Sequence, residues 1–429
     1  MKNLCTALLA AAIALVLQGC LGGSGNATFS DGYYRFVHIS PGSDNLAIAS
    51  NGTQIVPSLS YHSATPYLEF GWGTPQIKVT SATSGVTYVN ATIPVGSDGH
   101  YTYFLFGGGA SVTNYSLRDD VVDAPSGSFL LREIHLATGI GAVDFYLLAA
   151  GATVDAGTPI TTANAYGIGT VFTPYTAGTY HLAVTPTGTK TVIYDSGNQV
   201  FTNNEKVSFV IFATGSGQLV NAALLPNDST GTTNFVDNPA SRMKVVSATT
   251  DVPVVDVLVD GTVTLADVPY GGVADYAQVA AGTRNLAIQP SSTPGAYVYN
   301  QNQTLSAGYD QSFASFSIQG TGSAGLIALQ DNNLPPPSGR AKLRIVNAGS
   351  DATAYDAYAN TTKLVSNLVQ GSASAYQVLA PATYALAFNP TGTSTAATLL
   401  NASLVAGHVY TVYTFGRSGA VASVLTTDY

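Results

Sequence analysis

Three aspartates recur in step along this chain. Asp144, Asp256 and Asp356 each stand nine residues after a short β-type segment that ends at His135, Ser247 or Asn347, and each opens a second such segment. Repeated carboxylates are candidate ligands for a hard cation. Ca²⁺, however, takes six to eight oxygens, and no Asp-x-Asp-x-Asp-Gly loop accompanies them. The simpler role is local, since an Asp at a strand start accepts hydrogen bonds from nearby backbone N–H groups. No metal is expected. The histidines (His38, His62, His100, His135, His181 and His408) are scattered, and no His-Glu-x-x-His brings two together. His38 and His135 hold places that carry Ser247 and Asn347 in later copies of the pattern, a swap that a shared ligand site would not tolerate. No Gly-x-Ser-x-Gly elbow sits on a strand-to-helix turn, and no phosphate loop occurs. Gly107-Gly108-Gly109 follows a strand with no helix after it and reads as a turn. The expected catalytic inventory is empty, with no cofactor. One aromatic stands out. Trp72, the only Trp, lies in Glu69-Phe70-Gly71-Trp72-Gly73. Flanking glycines would leave its ring open, and an exposed ring face stacks on sugars or apolar ligands; a core position is the alternative.

A second chemistry sits at the N-terminus. Met1-Lys2-Asn3 precedes an apolar run from Leu4 to Leu17. At roughly 1.5 Å per residue this run spans about 21 Å, short for a membrane crossing and right for a secretory signal peptide. It ends in Leu17-Gln18-Gly19-Cys20, which resembles the bacterial lipobox. That resemblance implies removal of residues 1–19 and acylation of Cys20 by chains such as palmitate, with the membrane as partner through those acyl groups. Several chains, each buried CH₂ contributing roughly 0.8 kcal/mol, anchor stably without a spanning helix. Leu21 follows Cys20 where Asp would signal retention at the inner membrane, so the expectation is an outer-membrane lipoprotein, its leaflet undecided. Residues 20–31 are Gly-, Ser- and Asn-rich, the composition of a flexible tether.

Composition narrows the classes further. Of 429 residues only 15 are Lys or Arg, against 24 Asp or Glu, for a net charge of −9. That balance speaks against nucleic acid, which needs a basic footprint. Charged residues make up only 9% of the chain, while 46% is hydrophobic with 25 Tyr and 16 Phe, so the chain folds. Forty-four Gly among Thr, Val and Tyr favour strands and turns over helices.

The pattern occurs four times, at intervals near 100 residues. Each copy opens with a short strand: Arg35-Phe36-Val37-His38, Arg132-Glu133-Ile134-His135, Lys244-Val245-Val246-Ser247 and Arg344-Ile345-Val346-Asn347. The second strand begins at the recurring Asp in copies two to four, and at Ala47 in the first. Later come an aromatic stretch, a turn such as Ala281-Gly282-Thr283, and an aromatic strand ending at Gly. Alternation of period two dominates, and each unit reads as an antiparallel β-sandwich. The predicted domains span 32–122, 128–227, 241–332 and 339–429. Linker composition lies between them, including Pro335-Pro336-Pro337, which suggests beads in a row. A membrane barrel would need strands of about ten residues throughout, without such breaks.

The strand ending Arg-x-Val-His or Arg-Ile-Val-Asn, the Val-Asp-Val-x-Val-Asp-Gly hairpin, the Tyr before Ala-Gly-Thr and the Tyr-Thr-Val before Gly together resemble the bacterial envelope family called domain of unknown function 4397. The resemblance covers nearly everything after residue 32. It implies tandem immunoglobulin-like sandwiches in secreted or lipid-anchored proteins and no catalytic residues. The functional expectation is a non-enzymatic, lipid-anchored envelope protein whose domains act as spacers and as binding modules for a glycan or a protein. The alternative is an envelope hydrolase with a site formed between domains.

Overall fold

The computed structural model describes residues 30–428, apart from 110, 121–122, 215–216, 228–230, 319–320 and 338. Cys20 and residues 1–19, the expected signal peptide, lie outside the described residues. All regular structure among the described residues is β, and no helix is long and apolar enough to cross a membrane.

The first domain sets the plan. Its strands are β1 (Gly32–His38), β2 (Leu46–Ser50), β3 (Thr53–Leu59), β4 (Ser63–Ala64), β5 (Leu68–Phe70), β6 (Gln76–Ser81), β7 (Thr87–Thr92), β8 (His100–Gly108) and β9 (Ser111–Arg118). One sheet runs β4-β1-β8-β9, with β5 also on β1, and the other runs β3-β2-β6-β7. The two sheets enclose Tyr34, Phe36, Ile48, Val79, Tyr103 and Leu105. Strand β1 runs parallel to β8, with Val37 opposite Phe104, while its other neighbours are antiparallel. The same plan repeats with opening strands Ser128–Leu136, Ala240–Ala248 and Ala341–Gly349, each parallel to Lys206–Ala213, Asp310–Ser317 or Val409–Arg417. The protein is therefore a tandem array of β-sandwiches. Its strand order, with the first strand central and parallel to a late one, differs from the ABED and CFG sheets of immunoglobulin constant domains.

The domains are not beads on a string. Side chains alternate along a strand, so Tyr34 and Phe36 enter their own core while Arg35, Val37 and Ile39 face outward. Val37, Ile39, Phe104 and Phe106 pack there against Ile134, Leu136, Val210 and Phe212 of the second domain. Val246, Ala248 and Ala314 likewise meet Val346, Tyr413 and Phe415 across the third and fourth domains. Apolar surface on both faces of a sheet must be covered on both sides at about 25 cal/mol per Å², which pairing achieves and separate beads would not. The result is two face-to-face pairs. They meet end to end, where Thr214 Oγ1 donates to the Gly308 carbonyl at 2.9 Å. Leu334 of the proline-rich linker packs on the second domain's core, so this segment is a docked strap where a free spacer was expected.

Candidate functional site

The basic residue of each opening strand faces the paired domain; three of the four meet a carboxylate there, while Arg35 meets an amide and has its acid, Asp119 at 3.8 Å, in its own domain. The residue after each domain's last interface strand is Asp119, Asn227, Asp331 or Asp428, and its N–H bonds the carbonyl of His100, Lys206, Asp310 or Val409, so the four are structurally equivalent. Arg132 Nη2 donates across the interface to Asp119 Oδ1 at 2.7 Å, and Arg35 Nη2 donates to Asn227 Oδ1 at 3.1 Å. In the second pair, Arg344 Nη2 donates to Asp331 Oδ1 at 2.5 Å, and Lys244 Nζ to Asp428. An aromatic ring of the base's own domain lies beneath each cation: Tyr67 at 5.1 Å, Phe172 at 4.4 Å, and Tyr276 and Tyr376 at 4.8 Å. Burial works against the Arg344 charge, but the Asp331 carboxylate together with Tyr376 and Tyr413 outweighs it and raises its pKa; burial pushes the Asp428 carboxyl up against the pull of Lys244. These charges are dry and mutually satisfied. The arrangement clamps domains together and leaves no group open to a substrate. Sequence reasoning found the four bases but missed their acids. The matching positions at the ends of the last strands were the available signal.

The recurring aspartates do local work. Each carboxylate accepts the backbone N–H of a residue held in the left-handed region: Ala163 for Asp144, Asp267 for Asp256 and Asn367 for Asp356, at 2.9, 2.9 and 2.8 Å. They are spread over three domains, and among the described residues no group of three His, Cys, Asp or Glu converges as a metal centre would. The matched polar residues brace turns. His38 Nδ1 accepts from Ser40 N–H, His135 Nδ1 from Ala137 N–H, and Asn347 Oδ1 from Gly349 N–H. Two His–carboxylate pairs occur among the described residues: His62 Nε2 to Asp237 at 3.3 Å, its ring against Phe235, and His181 Nδ1 to Asp195 at 3.0 Å, its Nε2 facing the Ala152 carbonyl and not a hydroxyl nucleophile.

Trp72 lies in the loop between β5 and β6, with 55% of its surface exposed, so it is not a core residue. The loop is fixed from behind. Gly73, at φ 137, a value side-chain-bearing residues rarely adopt, donates its N–H to Val95 O at 3.2 Å and accepts from Val95 N–H at 2.8 Å. The indole borders an open depression of about 410 Å³ with Ser50, Asn51, Glu69 and Thr74 around it. Glu69 is exposed, and its hydrogen bond to the Asp31 carboxyl raises its pKa. An exposed ring face beside carboxylate, amide and hydroxyl groups matches the two sides of a pyranose, one apolar and one rimmed with hydroxyls.

The family model described as Domain of unknown function (DUF4397) matches residues 32–146, 241–354 and 341–429. No curated protein matches the chain. Among solved structures, the Bacillus anthracis TIE protein aligns over 96% of this chain and 78% of that one, at 12% identity and a TM-score of 0.16, too low a likeness to carry an argument. With over half of its length matched and its sandwich units repeated in tandem, the chain belongs to the DUF4397 family.

Proposed function

We propose that the protein is a non-enzymatic, lipid-anchored component of the cell envelope, held through Cys20 at the outer membrane, that binds saccharide at Trp72. The exposed indole beside Glu69 and Asn51 carries this reading. Trp72 follows β5, which pairs with the first residues of β1 next to the tether, so the site would face glycan close to the membrane. A stacked ring contributes about 1 kcal/mol beyond the area it buries, enough for weak, selective capture of an abundant polymer. The clamped pairs would act as a stiff spacer beyond it.

A glycan array probed with the mature protein and with Trp72→Ala tests the binding claim. Binding to an envelope-type glycan that falls tenfold or more in the variant supports it, and a blank array ends it. Palmitate labelling of the wild type, absent from Cys20→Ser, tests the anchor.

A further inference from the structure

Each domain pair ends in the same set of turns, but among the described residues the first pair's end meets the other pair and the second pair's end does not. The strap crosses the first pair's end beside a cavity of about 820 Å³. Gly139 makes room for it, since a Cβ there would lie 2.7 Å from Pro335 Cδ, while a Cβ on Gly108 would only touch Leu334 Cδ1 at 3.5 Å. The structural counterpart of Gly108 is Arg417. Gly107 and Gly416, the preceding residues, share a left-handed φ and a close approach to a carbonyl across the turn, that of Ser111 or Ala420. The counterpart of Gly139 is Asp251, because Ile140 N–H and Val252 N–H close the same turn onto Ala137 O and Thr249 O. The second pair's end is an open notch of about 410 Å³ at the pole farthest from the tether.

We propose that this open notch is a second binding site, for a neutral saccharide unit. Arg417 and Asp251 face each other across it at 3.3 Å, both largely exposed. A planar guanidinium beside a carboxylate offers donors and acceptors at the spacing of vicinal hydroxyls. Asp351 is fixed at its edge, its Oδ2 accepting the Ser418 N–H at 2.6 Å. Ser350 borders the notch and is only 8% exposed, its hydroxyl turned away from solvent. Tyr270 stands nearby, edge-on to Phe415 at 5.4 Å, with part of its ring exposed. One guanidinium against two carboxylates leaves no excess positive charge, which disfavours phosphate and acidic sugars. Asp251 stands where Gly139 leaves space for Pro335, so a strap of the same kind is not the occupant.

The experiment is calorimetric titration of the mature full chain with methyl glycosides of glucose, galactose, mannose and N-acetylglucosamine. It compares wild type, Trp72→Ala, the double variant Asp251→Ala/Arg417→Ala, and Ser418→Trp, which fills the notch from an exposed turn and leaves the ion pair in place. At least one glycoside binds Trp72→Ala within twofold of wild type and loses tenfold or more in both notch variants; this outcome is independent of the site at Trp72. Binding that vanishes in Trp72→Ala, or that both notch variants leave within twofold, overturns the proposal, as does tighter binding of an Asn-Leu-Pro-Pro-Pro peptide than of any glycoside.

Discussion

Arg132 of the second domain and Asp119 of the first share a buried hydrogen bond of 2.7 Å, and no other acid among the described residues lies within ion-pair distance of that arginine. Its Nε also donates to Ser208 Oγ at 2.7 Å and its Nη1 to the Arg118 carbonyl at 2.8 Å, so every face of the guanidinium is used. Breaking a buried pair costs about 3–5 kcal/mol when the survivor is left unpaired; Asp119 keeps Arg35 at 3.8 Å, which places the loss at the lower end of that range. Arg132→Ala is expected to lose that much in urea unfolding. Arg132→Lys, imitating Lys244 of the third domain, should keep the charge and lose roughly 1–3 kcal/mol with the missing hydrogen bonds. A loss below 1 kcal/mol for the alanine variant would show the clamp to be incidental.

The recurring aspartates and the left-handed residues come and go together. Ala47 lies opposite Thr80 as Asp256 lies opposite Gln289, and the segment Pro57-Ser58 facing Ala47 holds no residue at positive φ. Asp256→Ala should therefore cost about 1–3 kcal/mol, since it strips acceptors from the Asp267 N–H and from Ser291 Oγ. Ala47→Asp should stabilise nothing. Stabilisation by Ala47→Asp, or added Ca²⁺ raising the Tm of wild type but not of Asp256→Ala, would refute the local role.

Acid should loosen the first pair through His38. Burial lowers its pKa from 6.5 to about 4, against the opposing pull of the Asp44 and Leu105 carbonyls. The unfolded chain thus takes up a proton first. This contribution to stability is complete above about pH 6.5 and is lost as pH falls towards 4, to the extent of about 3 kcal/mol. Asp310 acts in the opposite sense in the second pair, because burial raises its carboxyl to about 6 and the strain is relieved on acidification. His38→Asn borrows the residue found at this place in the fourth domain, where Asn347 donates to the Thr353 and Leu368 carbonyls. The variant should unfold with a flatter slope between pH 6.5 and 4, whereas an unchanged slope would contradict the assignment.

Much of the architecture was legible. The Arg-Phe-Val-His and Lys-Val-Val-Ser segments are central strands, and the repeat of about 100 residues is one sandwich. The pairing was missed although the opening strands carry its mark. Val37, Ile134, Val246 and Val346 are apolar at places where a solvent face would be polar, and a strand apolar on both faces is covered on both. Asp119, Asp331 and Asp428 were invisible as a set because each acts on a base in another domain, and sequence spacing reports only on neighbours in the chain. For Trp72 the sequence left an open ring and a core position as alternatives, and the structure shows the exposed one. The notch at Arg417 and Asp251 was not legible, since it is assembled from turns more than 160 residues apart.

The central claim is that the folding unit is a pair of domains and not a single one. Differential scanning calorimetry of the excised pair 241–429, beside the same fragment carrying Arg344→Ala, tests it most directly. One cooperative transition, shifted as a whole to lower temperature by the substitution, is the expected result. Two separate transitions, with only the fourth domain's peak moving, would contradict the account.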